Sequence, residues 1–312
     1  MQIPRKATLS LGPVYFLWDG PKWRDFYFRI ADETGIGHVT LGETICSKRQ
    51  HFLEPYLADV IERLESAGKH VTLSSLAMVT LERESQQLRS LVRDSQHEIE
   101  ANDLSAIGLL KGLAHAIGPL VNVYNAATAR LLATRGARSI CLPPELPMAS
   151  MIDIATNVPE VEFEVFAFGR VPLAISARCA HARSKGLTKD NCQFVCGTDP
   201  EGLALRTLDR QSFLVLNGVQ TLSNTCQVLL GELHDLIAGG FSRIRLSPQD
   251  CDMVSVAQIY QDVLDRKVGS DEATETLAKV YNKAPFSNGF YHQREGAAWI
   301  ARARNAANDM TA

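Results

Sequence analysis

Three of the chain's 7 cysteines, Cys179, Cys192 and Cys196, fall close together in a stretch rich in basic residues and turn formers. Gathered thiolates are soft ligands, suited to zinc or to an iron–sulfur cluster. Cys192 and Cys196 are four apart, so they share one face of a helix, or both point inward from a tight loop. Arg178, Arg183, Lys185 and Lys189 lie beside them in the chain and would offset thiolate charge. A fourth ligand must come from elsewhere. Cys46 is one candidate, in the run Gly42-Glu43-Thr44-Ile45-Cys46-Ser47-Lys48-Arg49. His181 is the rival, and would make a Cys₃His zinc site. Spacing alone does not separate zinc from iron–sulfur. Cys141, Cys226 and Cys251 read as inert core thiols. An odd cysteine count in a chain of this size does not describe a disulfide framework.

The elements that must position these residues follow a βα rhythm of short apolar runs and longer amphipathic segments. Strands are expected at residues 9–18, 38–41, 70–76, 98–100, 119–123, 139–142, 162–167, 213–216 and 243–246. Helices are expected from Pro21, a good first-turn residue, and over 48–65, 81–92, 105–113, 125–134, 147–156, 224–237, 254–264 and 274–281. The simplest closure is a TIM-barrel-like (β/α) fold with a long cysteine-containing insertion after the seventh strand. An open doubly wound sheet is the alternative, but no glycine-rich loop follows the first strand. One barrel-like domain over 1–300 is expected. The rhythm breaks between about 169 and 212, the excursion that carries the cysteine trio. Residues 301–312 read as a frayed tail.

Composition narrows the classes. The chain has 312 residues, 46% hydrophobic and 21% charged, with a formal net charge of −3. Those are values of a folded soluble domain. A nucleic-acid partner held by a broad basic field is not expected. No apolar run approaches the roughly 18–20 residues that span a bilayer. Arg5 and Lys6 precede an apolar stretch, but Gly12 and Pro13 interrupt it, so a mature strand is expected there rather than a signal peptide. A cytoplasmic location is the default expectation.

Several phrases, in order along nearly the whole chain, resemble the collagenase-like peptidase family. They are Ser10-Leu11-Gly12-Pro13-Val14, the Gly42 to Arg49 run above, Asn122-Val123-Tyr124-Asn125-Ala126 and Pro144-Glu145-Leu146. Then come Glu162-Phe163-Glu164-Val165-Phe166-Ala167-Phe168-Gly169, Ser176-Ala177-Arg178-Cys179, Leu216-Asn217-Gly218-Val219-Gln220-Thr221, Arg245-Leu246-Ser247-Pro248-Gln249 and Asn288-Gly289-Phe290-Tyr291. Two departures stand out. Pro172 occupies a place where the wider family often has cysteine, and Phe168 one where histidine is common. The resemblance is to the branch in which a cysteine after the second strand, here Cys46, supplies the missing ligand. It implies a four-iron four-sulfur cluster on Cys46, Cys179, Cys192 and Cys196. It also implies a heterodimer with a UbiU-like subunit, acting in dioxygen-independent hydroxylation of a ubiquinone precursor, with prephenate as oxygen donor.

Polar residues at expected strand ends are candidates for the barrel mouth: Glu43, Ser75, Asn122, Asn125, Glu145, Glu164 and Arg245. Glu43, Glu164 and Arg245 are the catalytic candidates among them. Arg178, Arg183 or Arg245 would suit a dicarboxylate, since guanidinium binds carboxylates bidentately. Each could equally form a salt bridge or a cap. His115 reads as a packed histidine. Trp18, Trp23 and Phe26-Tyr27-Phe28 read as core, and Asn217-Gly218 as a tight turn. Three other classes compete: a peptidase, for which no nucleophile motif is present; an RNA-base hydroxylation factor of the same family; and a zinc-stabilised binding module.

Overall fold

A computed structural model describes residues 7–301. The chain passes through strands β1 (Thr8–Leu11), β2 (His38–Leu41), β3 (His70–Ser74), β4 (Glu98–Ala101), β5 (His115–Ile117), β6 (Ala137–Leu142) and β7 (Glu162–Ile175). It then makes an excursion through β8 (Leu203–Arg206), β9 (Ser212–Asn217) and β10 (Gln220–Val228), and returns at β11 (Arg243–Leu246). A short β12 (Phe286–Ser287) pairs with β10. β1 to β7 pair in sequence, all parallel, and β11 pairs in parallel with both β7 and β1. Those eight strands close a barrel.

Helices α1 (Gly20–Glu33), α2 (Gln50–Leu53), α3 (Leu57–Ser66), α4 (Glu82–Asp94), α5 (Leu104–Leu109), α6 (Ala126–Thr134) and α7 (Met148–Asn157) cover the first six crossovers. α8 (Ala180–Ser184) lies in the excursion, and α9 (Leu233–Ala238), α10 (Met253–Leu264) and α11 (Ser270–Val280) complete the ring. α1 starts where Asp19 accepts the Lys22 N–H, with Pro21 in its first turn. It buries Trp23, Tyr27 and Ile30. Asn125 caps α6 by accepting the Thr128 N–H. These helices pack on the odd-numbered strand residues Leu9, Leu11, Val39, Leu41, Val71, Leu73 and Ile99.

The other face of each strand points into the barrel, because strand side chains alternate. Barrels of this kind are usually filled by branched apolar layers. Here the lumen is polar. Ser10, Thr40, Thr72, Ser74, Glu100, Ser139, Cys141, Glu164 and Arg245 are all buried. Arg245 on β11 reaches across to Glu100 on β4, at the opposite wall. It also holds Glu164 through Nε at 2.7 Å. Ser10 donates to the same carboxylate.

The sequence expectations need four corrections. Gly169 does not end β7. The strand passes through it at φ 128°, and a Cβ there would stand 2.7 Å from Cβ of Ser247. Only glycine fits both demands, so β7 runs on to Ile175 and leaves the barrel. The excursion therefore grows from the barrel wall as an antiparallel sheet, β7–β10–β9–β8. The helix expected over 224–237 is β10 up to Val228 and α9 only from Leu233. The strand expected at 119–123 is instead β5, since Pro119 opens a short 3₁₀ turn. The helix expected over 48–65 is broken near Pro55, with 3₁₀ turns on either side of α2. The tail at 301–312, apart from Ala301, lies outside the described residues, as do Arg5 and Lys6.

Candidate metal centre

Three separate segments bring four sulfurs to one pocket at the C-terminal mouth of the barrel. Cys46 follows β2, Cys179 opens α8, and Cys192 and Cys196 flank a tight turn. All four line a single small pocket, together with Lys48, Arg49, Lys189, Phe194 and Gly218. None of the four is in a disulfide.

Each segment is held by its own local chemistry. Glu43 Oε1 accepts the backbone N–H groups of Ile45 and Cys46, at 2.8 and 2.9 Å, which folds the loop after β2. Burial pushes the Glu43 carboxyl up from its ordinary value, while Arg49 and those N–H groups pull it back. Cys179 caps α8, its sulfur 3.4 Å from the Ala182 N–H. Cys192 and Cys196 do not share a helix: Cys192 precedes the turn and Cys196 sits in a short 3₁₀ helix, Val195–Thr198. Gln193 and Phe194 take left-handed backbone at φ 47° and 53°, which turns the chain so that both sulfurs face the pocket. Non-glycine residues pay for that conformation. Phe194 offsets it by packing on Phe52 and His51, with ring centroids 5.0 and 5.1 Å away.

Arg49 joins the segments. It is 1% exposed. It donates to the Tyr15 carbonyl at 3.0 Å and to Asn217 Oδ1 at 2.7 Å. Asn217 in turn donates to the Cys196 carbonyl at 3.3 Å. Gly218, at φ 68°, starts the two-residue turn between β9 and β10, the place a type II′ turn reserves for glycine. A Cβ there would lie 2.3 Å from Arg49 Nη2. The turn thus also makes room for the guanidinium. Lys48 ties the loop after β2 to the excursion, through the carbonyls of Lys189 and Asp190, both at 2.8 Å.

Burial pushes the thiols of Cys46 and Cys196 up, and the positive charge of Arg49 draws both down again. A sulfur that binds metal does so as thiolate, so each bond displaces a proton from a thiol that burial keeps protonated. Higher pH should therefore favour loading. If the four thiols take up an iron–sulfur centre, protein incubated anaerobically with ferrous iron and sulfide should gain more visible absorbance at about pH 8.5 than at about pH 7. Equal gain would mean the thiols are already ionised at neutral pH.

The rival fourth ligand is otherwise engaged. His181 is fully buried; its Nε2 lies 2.9 Å from Asp199 Oδ2 and its Nδ1 3.4 Å from the Gly218 N–H. Both ring nitrogens are spoken for. Among the described residues no three His, Cys, Asp or Glu side chains close on the geometry of a single metal ion. A tetrahedral zinc with bonds of about 2.3 Å would need its sulfurs about 3.8 Å apart. Four free thiols line one pocket beside a buried guanidinium whose Nε has no hydrogen-bond partner among the described residues; soft thiolates beside a positive charge are the donor type that iron–sulfur centres use.

The other sequence candidates fall elsewhere. Arg178 and Arg183 are exposed and do not line the pocket, whereas Lys189 does. Glu43 is a loop anchor. Glu164 and Arg245 are paired inside the lumen, so Arg245 is not a free clamp for a carboxylate. Ser75 accepts the Asn102 N–H, Asn125 is a cap, Tyr124 donates to Glu145, and Asn122 is exposed. His115 is fully buried, with Nδ1 2.8 Å from the Leu113 carbonyl. Trp18, Trp23 and Tyr27 are core, as expected. Arg49 and Tyr15 were not singled out in the sequence. Arg49's only signal is its place three residues after Cys46.

A closed β/α barrel with a cysteine-lined pocket at its C-terminal mouth is the class of protein that this geometry defines. The sequence matches the model of peptidase family U32 over residues 25–301. The chain belongs to that family. Among solved structures, the octameric ribulose-1,5-bisphosphate carboxylase/oxygenase of Pyrococcus horikoshii OT3, crystallised with sulfate ion, is similar at 10% identity with a TM-score of 0.48. That similarity covers 87% of this chain and 61% of the other, and nothing about this chain's chemistry follows from it. No helix among the described residues is long and apolar enough to cross a membrane.

Proposed function

We propose that this chain is the UbiV-like, iron–sulfur subunit of a cytoplasmic heterodimer that hydroxylates the ring of a ubiquinone precursor without dioxygen. Its partner is a UbiU-like protein. The observation that carries the reading is the meeting of Cys46 with Cys179, Cys192 and Cys196 around one pocket. Membership of the U32 family supports it, since the resemblance within that family is to the branch with a cysteine after the second strand.

A four-iron four-sulfur cluster on four cysteines would supply one-electron transfer. The chain's own residues do the rest. Glu43 and Lys48 fix the loop that carries Cys46. Arg49 offsets the charge of the thiolates. Tyr15, Ile45, Ala182 and Val219 pack around Cys179, with Cys46 and Cys192 partly buried against them. Hydroxylation exchanges a ring C–H for C–O and withdraws two electrons from the ring. With prephenate as donor, its C–O bond breaks, its hydroxyl goes to the ring, and the donor takes up the hydrogen and the two electrons.

Anaerobic purification alongside the UbiU-like subunit tests the reading. The chain should carry iron and acid-labile sulfide in equal amounts, about four of each. Replacing Cys46, Cys179, Cys192 or Cys196 by alanine should remove most of both, while Cys141→Ala and Cys251→Ala should not. Zinc in place of iron would sink the proposal. Peptide cleavage that survives removal of iron would replace it with the peptidase reading.

A further inference from the structure

A second pocket lies on the other side of the Cys46 loop. It opens between α3 and α4, over the outer face of β2 and β3. Leu53, Leu57, Leu73, Leu76, Leu88 and Leu91 form its walls. Its cavity volume is about 100 Å³, and with the open mouth counted the cleft reaches about 590 Å³. Engineered apolar cavities of about 150 Å³ hold a benzene ring, so a ring here would occupy part of the open mouth as well. The cleft's polar lining is Glu43, Gln50, Ser74, Ser75, Glu84 and Gln87. Glu43 spends one oxygen, Oε1, on the N–H groups of Ile45 and Cys46, and its Oε2 accepts no hydrogen bond among the described residues.

The segment Gly42 to Cys46 is a wall common to both pockets. Gly42 and Glu43 face the leucines, while Cys46 faces the other sulfurs. A leucine-lined cleft with a carboxylate oxygen of Glu43 left over fits an amphiphile: an aromatic ring with a hydroxyl at Glu43 and an apolar substituent against the leucines of α3 and α4. We propose that this cleft is where the chain binds a ring substrate with an apolar tail, so that the ring stands beside the loop that carries Cys46. The inference rests on the reading above for the kind of substrate, but not for the site.

The test uses the full chain, prepared anaerobically, and 2-geranylphenol as probe, with binding followed by calorimetry. Wild-type protein should bind it saturably. Leu91→Trp and Leu57→Trp, both at half-buried positions, should fill the cleft and weaken binding at least tenfold, with iron content and melting temperature unchanged. A photoreactive analogue should label wild-type protein on α3 or α4, which keeps the test open should either tryptophan disturb folding. No saturable binding, unaltered binding by both variants, or labelling elsewhere would overturn the proposal. Iron analysis of the same samples separates the two ideas. Binding that Leu91→Trp abolishes in iron-free protein keeps the cleft and discards the cluster.

Discussion

Replacing Arg49 by methionine should lower the protein's stability by about 2 to 4 kcal/mol and, with the iron–sulfur centre proposed above, strip it of most of its iron. The size follows from what the guanidinium does. It is buried, and it gives charged hydrogen bonds to Asn217 and to the Tyr15 carbonyl. Methionine keeps the length and the packing but leaves Asn217 Oδ1 buried without its donor. The Tyr15 carbonyl is less affected, because Gln220 Nε2 also reaches it at 2.6 Å. The loss of iron has a second cause. Arg49 is the one fully buried cation among the described residues that line the sulfur pocket, and its charge acts on both Cys46 and Cys196. Without it the thiolates must gather against their mutual repulsion, in a site where water screens little. Arg49→Lys separates the two effects. A lysine restores charge but cannot fork between Asn217 and Tyr15. It should keep more iron than the methionine variant and recover little of the stability. Iron per chain and a urea titration read the two quantities, and any cluster that remains should show a lower reduction potential. Full iron in Arg49→Met would remove Arg49 from the site.

The cysteines, the barrel and the place of Cys46 after β2 were legible because each has a local signature. Thiols are rare in the chain, and the strand runs repeat with a βα rhythm. The sulfur trio also announced its own loop. What could not be read has non-local causes. Whether Cys192 and Cys196 sat on a helix or a turn depended on two non-glycine residues in left-handed backbone, and nothing in Gln193-Phe194 announces that. The continuation of β7 past Gly169 depended on the close approach of Ser247, far away in sequence. Arg178 and Arg183 looked like the charge partners because they are sequence neighbours of Cys179. The chain instead sends them to the surface and supplies Arg49 from another loop. Asn217-Gly218 was legible as a turn, but that the turn should cradle a guanidinium was not. Glu164 and Arg245 were recognised as chemically active types at strand positions, and the lumen pairs them with each other and with Glu100.

That pairing makes Arg245→Met the most damaging single substitution expected in the barrel, at about 3 to 5 kcal/mol. Arg245, Glu100 and Glu164 are 4%, 1% and 3% exposed. One positive charge faces two carboxylates, so the group already carries a surplus negative charge away from water. Asn102 eases it, donating to Glu100 at 3.1 Å, and Ser10 donates to Glu164. Removing the arginine leaves both carboxylates buried and unpaired, whereas Glu164→Gln leaves a balanced Arg245–Glu100 pair and should cost only about 1 kcal/mol. The pH dependence distinguishes the two states of the lumen. The charge of Arg245, with Arg243 and Ser10, holds the Glu164 carboxyl below its ordinary value against burial. A depressed acid stabilises the fold above its unfolded value, and the contribution is lost as pH falls through the folded one. Wild-type stability from Glu164 should thus persist down to about pH 4.5 and fall only below it. In Arg245→Met only Arg243 and Ser10 are left to oppose burial, the carboxyl moves up, and the fold should strengthen as pH falls toward the carboxylate range, the reverse of the wild type. Urea midpoints between about pH 4 and pH 7 measure both trends.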